Sequence, residues 1–225
     1  MLEKTILEYG RLKVKVTNKA NEGILDILNH AVQGSEGGMR FQLQNIEKKI
    51  KAYGDQIRFV SLYKRDKITG TIGACFRMSG QGALSFPSTY IRYFAFQSVY
   101  RSDIRWKKRD REQIRQEPDD SFKRKTLDIF SKPHLLELPH VFEAGKHIMY
   151  AFIESMNERS KNLVIQAGYE HIRSFLTVTF SRFNPKPDTR VSKLQDADKQ
   201  RMKELLLDFY RDYSFFSTDF IFYDD

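Results

Sequence analysis

The side chains best suited to bind an anion lie between Arg101 and Lys125, the densest basic stretch of the chain. Its cations are Arg101, Arg105, Lys107, Lys108, Arg109, Arg111, Arg115, Lys123, Arg124 and Lys125. Acidic residues interrupt this stretch throughout, and such mixed charge is typical of a solvated helix or loop. The net charge of +9 nevertheless suits an anionic partner, which leaves nucleic acid, a membrane surface or a phosphorylated cofactor as alternatives.

The histidines and the single cysteine form no pattern that predicts a metal site. His134, His140 and His147 lack the spacing of zinc-protease motifs. Cys75 is the only cysteine, so it can form neither an intrachain disulfide nor a cysteine-based metal site. We therefore predict no metal, a core position on a strand for Cys75, and a reduced, cytoplasmic setting.

The composition predicts a folded chain without membrane contact. Hydrophobic residues make up 40% of the 225 residues, and aromatic residues 13%, which is sufficient for a packed core. The N-terminal sequence MLEKTILEYGRLKVKV has no apolar run typical of a signal peptide, and no stretch is long enough to span a bilayer. The length suits one α/β domain plus part of a second.

The first hundred residues predict strands separated by two helices. The alternation in residues 12–17 predicts a strand, and Asn21 is placed to cap a helix that runs to Val32. A second helix is expected around residues 43–53, followed by a hairpin whose arms begin at Ile57 and Thr69. A loop containing Gly80, Gly82 and Pro87 is expected to lead into a strand that begins at Tyr90.

The pattern continues beyond a polar stretch at residues 102–117, which predicts a loop or an exposed helix. A helix is expected at residues 121–130 and a strand at 147–153. Asn157 is placed to cap a helix over 158–167 that Gly168 closes, and a strand is expected at 172–182.

A weak internal repeat predicts a second unit at the C-terminal end. Residues 184–189, which begin NPKPD, are expected to form a stiff linker. Val191–Leu194 then precedes Asp198 much as Val14–Thr17 precedes Asn21, and a helix is expected after each. The apolar face of the second of these helices contains Met202, Leu205, Leu206, Phe209 and Tyr213. We therefore predict one domain over residues 1–183 and the start of a second, incomplete unit over 190–225.

Three segments in this order resemble the GNAT superfamily of acyl-CoA-dependent acyltransferases. Asp66–Gly70 is similar to the turn and glycine that open the family's third strand. Phe94–Arg101, FAFQSVYR, resembles its fourth strand and the residues that follow. Asn157–Tyr169 resembles the family pattern N-x-x-A-x-x-L-Y-x-K-x-G-F, with the spacing kept over 13 positions. Without its neighbours, the last segment would predict only a helix with an Asn N-cap and a Gly C-cap.

The resemblance implies an α/β (α+β) fold. Its central sheet would be mixed but mostly antiparallel, with flanking helices and a fourth and fifth strand that splay apart. It further implies a tandem arrangement of GNAT-like units, of which residues 1–183 would be the first. The function it implies is transfer of an acyl group from acetyl-CoA or another acyl-CoA to a small-molecule or peptide amine.

The resemblance also implies where the cofactor would bind. Its pantetheine arm would pair with the backbone of Phe94, Ala95 and Phe96, and its pyrophosphate would lie on the loop that follows. The implied contacts therefore comprise Phe94, Ala95, Phe96, Arg101, Ser102, Asp103, Ile104, Arg105, Trp106 and Asn157. Free N–H groups at a helix N-terminus favour phosphate, and glycine lets the backbone approach it closely.

The sequence departs from the family at these chemical positions. Ile104 and Trp106 replace the two glycines of the phosphate loop, and Asp103 adds a charge that repels phosphate. Val164 stands where many members have a tyrosine that protonates the departing thiolate. No catalytic base or acid is evident. A catalytically inactive GNAT-like binding domain therefore stays open as an alternative function, as does a nucleic-acid-binding protein that stacks bases on Trp106.

Overall fold

The computed structural model describes residues 2–34, 40–82, 84–97, 122–137, 147–174, 189–190, 192, 194–213 and 216–217. Its strands are β1 Glu3–Tyr9, β2 Leu12–Thr17, β3 Val32–Gln33, β4 Phe41–Gln42, β5 Ile57–Lys64, β6 Lys67–Gln81, β7 Leu84–Phe96, β8 Ile148–Ala151 and β9 Phe216–Ser217. Its α-helices are α1 Glu22–His30, α2 Ile46–Ala52, α3 Phe122–Ser131, α4 Glu158–Gln166 and α5 Lys199–Phe209. Short 3-10 helices lie at Gly54–Gln56, Pro133–Leu136 and Asp196–Asp198.

One mixed sheet organises the chain. Its strand order is β1-β2-β5-β6-β7-β8, and β9 pairs with β6 beside that path. The described neighbours are antiparallel except β7 and β8, which run parallel. The predicted fold class, a mostly antiparallel mixed sheet with flanking helices, is confirmed.

Each face of the sheet has its own core. On one face, α1 and α2 bury Ile24, Leu28 and Ile46 against Phe59 and Cys75. On the other face, Val16, Val60 and Ala74 pack with residues of α3 and the 3-10 helix that follows it, among them Ile129 and Leu136. Cys75 is fully buried on its strand, as predicted.

Local capping signals place two helices correctly. The Asn21 side chain accepts a hydrogen bond from the Ile24 N–H at 3.0 Å and begins α1. Asn157 does the same for the Ser160 N–H at 3.0 Å, and Gly168 follows the end of α4 with φ +89°. An asparagine at the N-cap and a glycine with positive φ after the last turn relieve unpaired backbone groups at the two helix ends.

The β6–β7 hairpin corrects the prediction of a loop from Gly80 to Pro87. The strands instead continue to Gln81 and begin again at Leu84, and Gly82 with φ +61° makes the turn. Pro87 lies within β7, opposite Met78. Proline is tolerated there because β7 acquires its second neighbour, β8, only from Ser88 onwards.

Other boundaries also differ from the prediction. β1 was not predicted at all, although Gly10, with φ +58°, separates two β-rich runs in the manner of a hairpin turn. β8 is shorter than the predicted strand at 147–153. Residues 172–174 and the described Ser192 and Leu194 have no strand conformation, and the rest of the predicted strand at 172–182 lies outside the described residues, as does the segment 184–188.

The C-terminal helix α5 forms as predicted after Asp198, but the Asp198 side chain makes no capping hydrogen bond. Much of its apolar face is open to solvent, since Leu205 is 56% exposed and Phe209 is 65% exposed. Beyond α5 the chain returns to the main sheet through β9. Within the described part of the chain, no helix is long and apolar enough to cross a membrane.

Candidate functional site

The parallel strands β7 and β8 diverge after only four paired residues. Their pairing runs from Ser88–Ile148 to Ile91–Ala151. β7 then continues for Arg92–Phe96, whereas the chain leaves the strand conformation at Phe152. The edge of β7 beyond Ile91 therefore has no described strand on the β8 side. In the predicted fold, the family's fourth and fifth strands splay apart. β7, which contains the segment compared with the fourth strand, and its parallel neighbour β8 separate in this way.

A β-bulge lies at the beginning of the stretch of β7 that has no described partner on its β8 side. Between the Thr71–Ala95 and Gly73–Arg92 pairs, β6 advances by two residues and β7 by three. Tyr93 takes up the extra residue with φ +54°. A Cβ atom at Gly73 would lie 2.8 Å from Cδ2 of Tyr93, so glycine makes room for the bulged residue. Bulges redirect backbone and side chains at strand edges, often next to functional sites.

The peptide groups of Phe96 face the open edge. The Gln97 N–H donates to the Thr69 carbonyl of β6 at 2.9 Å. Because successive residues of a strand direct their N–H and C=O groups to opposite sides, those of Phe96 are directed away from β6. The Phe94 carbonyl accepts a hydrogen bond from the Gln33 side chain at 3.4 Å. Among the described residues no strand pairs with the backbone groups of Phe96 on this side, so an extended ligand could pair with them.

The three predicted edge residues lie on this stretch, and the side chains of Ala95 and Phe94 pack in the two cores. Ala95 is buried in the core beneath α1 and α2. The rings of Phe94 and Phe96 lie 4.9 Å apart, and Phe94 packs on the opposite core. Any contact these residues make with a ligand would therefore involve mainly their backbone.

The other predicted cofactor contacts are not brought to this edge by the described structure. Arg101, Ser102, Asp103, Ile104, Arg105 and Trp106 lie outside the described residues. The Asn157 side chain oxygen caps α4 through the Ser160 N–H. Val164 is half-buried on the same helix. Cofactor contacts at these positions stay predictions.

A cationic aromatic cluster beside the gap was missed by the sequence reasoning. We call Tyr53, Tyr90, Arg92, Tyr93 and Tyr150 the Arg92 cluster. The Arg92 guanidinium donates a hydrogen bond to the Tyr53 hydroxyl at 2.6 Å. Its central carbon lies 4.3 Å from the ring centroid of Tyr93 and 5.4 Å from that of Tyr90. The available signal was an arginine within the otherwise apolar and aromatic sequence YIRYFAF.

The cluster extends across the gap to β8. The rings of Tyr90 and Tyr150 stack with centroids 5.2 Å apart and an angle of 6° between their planes. Phe152 packs edge-on against Tyr90 at 5.3 Å and is 60% exposed. The aromatic surface therefore continues from the buried Tyr53 to the solvent at the mouth of the gap.

The charges in this region are well defined. Arg92 stays a cation, because guanidinium does not lose its proton in proteins. Burial raises the pKa of the Tyr90 hydroxyl, and burial raises the pKa of the Cys75 thiol to about 12, so both groups are neutral at physiological pH. Tyr53 is hydrogen-bonded to Cys75 as well as to Arg92, which holds its hydroxyl in place. The cluster presents one fixed cation among neutral groups.

Other parts of the described surface offer less. A shallow depression beside the β1–β2 turn contains Glu8, Lys13 and Asp66. Lys13 lies 3.4 Å from Asp66 and 3.7 Å from Glu8. Arg11 and Arg65 also line the depression, so three cations face two carboxylates on an open surface. No group of three or more potential metal ligands occurs among the residues that the structure describes.

Comparisons with known proteins give structural neighbours only. No protein-family model and no curated protein matches the sequence. An aminoglycoside acetyltransferase from an uncultured soil metagenomic sample is 12% identical, with a TM-score of 0.45 over 76% of this chain and 97% of its own. Glucosamine-6-phosphate N-acetyltransferase from Arabidopsis thaliana is 14% identical, with a TM-score of 0.41 over 75% of this chain and 99% of its own.

A transcriptional regulator from Bacillus halodurans C-125 is 10% identical, with a TM-score of 0.46 over 74% of this chain and 99% of its own. At such identities and TM-scores the likeness concerns the fold alone. What this chain does must therefore be inferred from its own geometry.

Proposed function

We propose that this chain is an acyl-CoA-dependent N-acyltransferase that acts on an amine. The observation that carries the proposal is the stretch Arg92–Phe96 of β7, which pairs with β6 but has no described strand on its β8 side, with its bulge at Tyr93 and its edge at Phe96. A pantetheine arm carries amide groups that can pair with such an edge as a strand would. The aromatic cluster next to it would line the acceptor side of the same gap.

The phosphate groups of acetyl-CoA or a longer acyl-CoA would bind close to the end of β7. Arg101 and Arg105 follow β7 in sequence and can supply charge-assisted hydrogen bonds. Ser102 can donate through its hydroxyl. Because Ile104 and Trp106 carry side chains where glycine would admit phosphate, we infer that arginine ion pairs contribute more to this site than backbone amides do.

Acyl transfer joins the amine nitrogen to the thioester carbonyl carbon and breaks the bond from that carbon to sulfur. The amine loses a proton, and the departing thiolate gains one. Val164 cannot supply that proton. Among the hydroxyls at the gap, that of Tyr150 lies on β8 next to the proposed cofactor edge, and the Tyr53 hydroxyl is already bonded to Cys75. We assign no proton donor or base.

Calorimetric titration with acetyl-CoA and with longer acyl-CoAs tests the proposal directly. We expect binding in the micromolar to millimolar range, followed by acylation of an amine. Absence of heat at millimolar ligand would end the proposal for this chain.

The edge itself can be tested by comparing Phe96→Pro with Phe96→Ala. Both variants lose the ring, but only proline removes the N–H that faces the gap. We expect the proline variant to bind CoA about 3- to 10-fold more weakly than the alanine variant, the equivalent of one hydrogen bond. Equal affinities would show that the cofactor does not pair with β7 at this residue.

The Asn157 contact is testable in the same assay. Serine can replace asparagine as an N-cap, so Asn157→Ser should keep the fold while removing the amide. Weaker CoA binding by this variant supports a cofactor contact, and unchanged binding leaves Asn157 as a helix cap alone.

A catalytically inactive binding domain is the second candidate, favoured by Ile104, Trp106 and Val164 together. The double variant Ile104→Gly with Trp106→Gly, which places glycine at both loop positions, distinguishes an active acyltransferase from an inactive binding domain. Turnover by the unaltered chain excludes the inactive domain. CoA binding gained only in the double variant supports a degenerate site.

A further inference from the structure

We propose that the Arg92 cluster binds an oxyanion, carboxylate or phosphate, carried by the acceptor, so that this chain acts on acidic amines. The role of the ligand as an acyl acceptor rests on the proposed acyltransferase function. The anion site itself rests on the geometry around Arg92.

The guanidinium of Arg92 is half-buried and incompletely paired within the described structure. Of its five N–H donors, one binds the Tyr53 hydroxyl. The rings of Tyr53, Tyr90 and Tyr93 contact the cation. No aspartate or glutamate among the described residues forms an ion pair with it.

That environment favours an external anion. Removing a cation from water is costly unless an opposite charge or sufficient hydrogen bonds replace the solvent. The tyrosine rings can compensate the face of the guanidinium, but its in-plane donors need acceptors. A planar fork of N–H groups matches two oxygens of a carboxylate or phosphate.

Arg92 lies where the gap between β7 and β8 begins. It is the first residue of β7 beyond the last pair with β8, and it lies opposite Gly73 of β6. The Tyr53 hydroxyl, held by Cys75, fixes the guanidinium from the α2 side. The amine of an acceptor bound here would lie beside the same stretch of β7 that we propose for the pantetheine arm.

Two further features reinforce the anion site. Arg77 acts electrostatically on both Tyr90 and Cys75, and a second cation nearby raises the positive potential of the region. The rings of Tyr150 and Phe152 pack against Tyr90, which itself contacts the cation, and this aromatic surface suits an acceptor with an apolar or ring-containing part. An acidic amine with an aromatic portion satisfies both features.

Paired ligands that differ only in the acidic group provide the test. Phenylalanine is compared with phenethylamine for carboxylate, and phosphoethanolamine with ethanolamine for phosphate, by calorimetry with and without CoA. We expect at least one acid to bind ten or more times more tightly than its counterpart that lacks the acidic group. The pair that shows the difference identifies the oxyanion.

Variants of Arg92 then assign the difference to this residue. Arg92→Met keeps length and removes charge, and we expect it to abolish the preference, so that the ratio of the two affinities within each pair falls to about one. Arg92→Lys keeps charge without the fork and should retain only part of the preference. Arg201→Gln on α5 removes the same unit of charge from an exposed site and should have no effect.

Equal binding of both members of each pair by the unaltered chain would overturn the proposal, as would a preference that survives in Arg92→Met. Arg92→Lys keeps the test decisive if Arg92→Met fails to fold. An acid preference without any CoA binding would refute the acyltransferase and keep the anion site. CoA binding without an acid preference would refute only the anion site.

Discussion

Arg92 and Cys75 lie on the same face of the sheet, yet burial has different consequences for them. Arg92 keeps its charge, and a hydrogen bond to Tyr53 and the ring of Tyr93 hold its guanidinium. Cys75 is fully buried and hydrogen-bonded to Tyr53. A neutral thiol in that position serves packing and the orientation of Tyr53, because it is the thiolate that reacts.

Cys75 should therefore be unreactive in the native protein. Burial raises its pKa to about 12, so almost no thiolate exists at pH 8. We expect a chromogenic disulfide reagent to modify one thiol per chain in guanidinium but to react with the native protein only at the rate of unfolding. Complete modification of native protein within seconds would contradict this assignment.

His147 should make stability depend on pH. It shares a 2.9 Å hydrogen bond with Thr89, and burial lowers its pKa from 6.5 to about 4. The unfolded chain therefore binds a proton near pH 6.5 and the folded chain only near pH 4. The contribution of the neutral His147 to the free energy of unfolding is complete above about pH 6.5 and is lost as the pH falls towards 4.

Because His147 is partly solvated, we expect a loss of about 1 kcal/mol in the free energy of unfolding between pH 7 and pH 5. Urea denaturation at the two pH values measures it. His147→Gln should flatten this component of the pH dependence, and an unchanged profile would contradict the lowered pKa.

At the scale of elements, close packing between β6 and β7 explains why two positions of β6 are glycine, which the sequence alone does not explain. Gly73 admits the bulged Tyr93, and a Cβ atom at Gly70 would overlap the ring of Phe96. The resemblance identified Gly70 as the glycine that opens a strand. The structure adds the physical reason, which is space for an aromatic ring from the adjacent strand.

Gly70→Ala should lower the free energy of unfolding by about 1–3 kcal/mol, because the added methyl displaces the Phe96 ring. In the double variant Gly70→Ala with Phe96→Ala, the methyl meets no ring. We therefore expect the alanine at residue 70 to cost less in that background, as a double-mutant cycle would measure. Additive effects would show that the two residues are not in contact.

The cap at Asn157 gives a second prediction at this scale. Asn157→Ala removes the acceptor for the Ser160 N–H and should cost about 1 kcal/mol, whereas Asn157→Ser should cost little. Thermal unfolding of the two variants measures the difference. Equal destabilisation by both would mean that the cap does not stabilise α4.

At the scale of the whole molecule, the C-terminal segment contacts the main sheet. β9 pairs with Ser79 and Gly80 of β6, and the Gly82 N–H donates to the Arg211 carbonyl at 3.0 Å. The exposed apolar face of α5 remains compatible with our proposal that a second unit begins near residue 190. The segment would then both belong to that unit and brace the β6–β7 hairpin.

A chain that ends at residue 183 tests this bracing. We expect it to fold but to lose about 1–3 kcal/mol, the net contribution of a few backbone hydrogen bonds. Chemical denaturation of the two chains gives the comparison. Identical stability would mean that residues 190–217 fold independently of the sheet.

The sequence alone determined those features that depend on neighbouring residues. Asn21, Asn157 and Gly168 predict helix ends because capping involves groups only a few positions apart. The fold class was predicted from the resemblance of three segments, in their order along the chain, to a known family. Local signals were insufficient at Pro87, where the partner on the β8 side decides whether proline is tolerated.

Only the tertiary structure decided where β7 loses its partner and what lies beside the gap. Arg92 meets Tyr53 across 39 positions of sequence, and Tyr150 approaches Tyr90 only because β8 pairs with β7 in parallel. No local pattern encodes such proximity, because it arises from strand register and from the packing of α2 on the sheet. Arg58 shows the limit of the sequence signal, because it too lies in an apolar and aromatic strand but donates its hydrogen bonds to backbone carbonyls. Only the fold distinguishes its surroundings from those of Arg92.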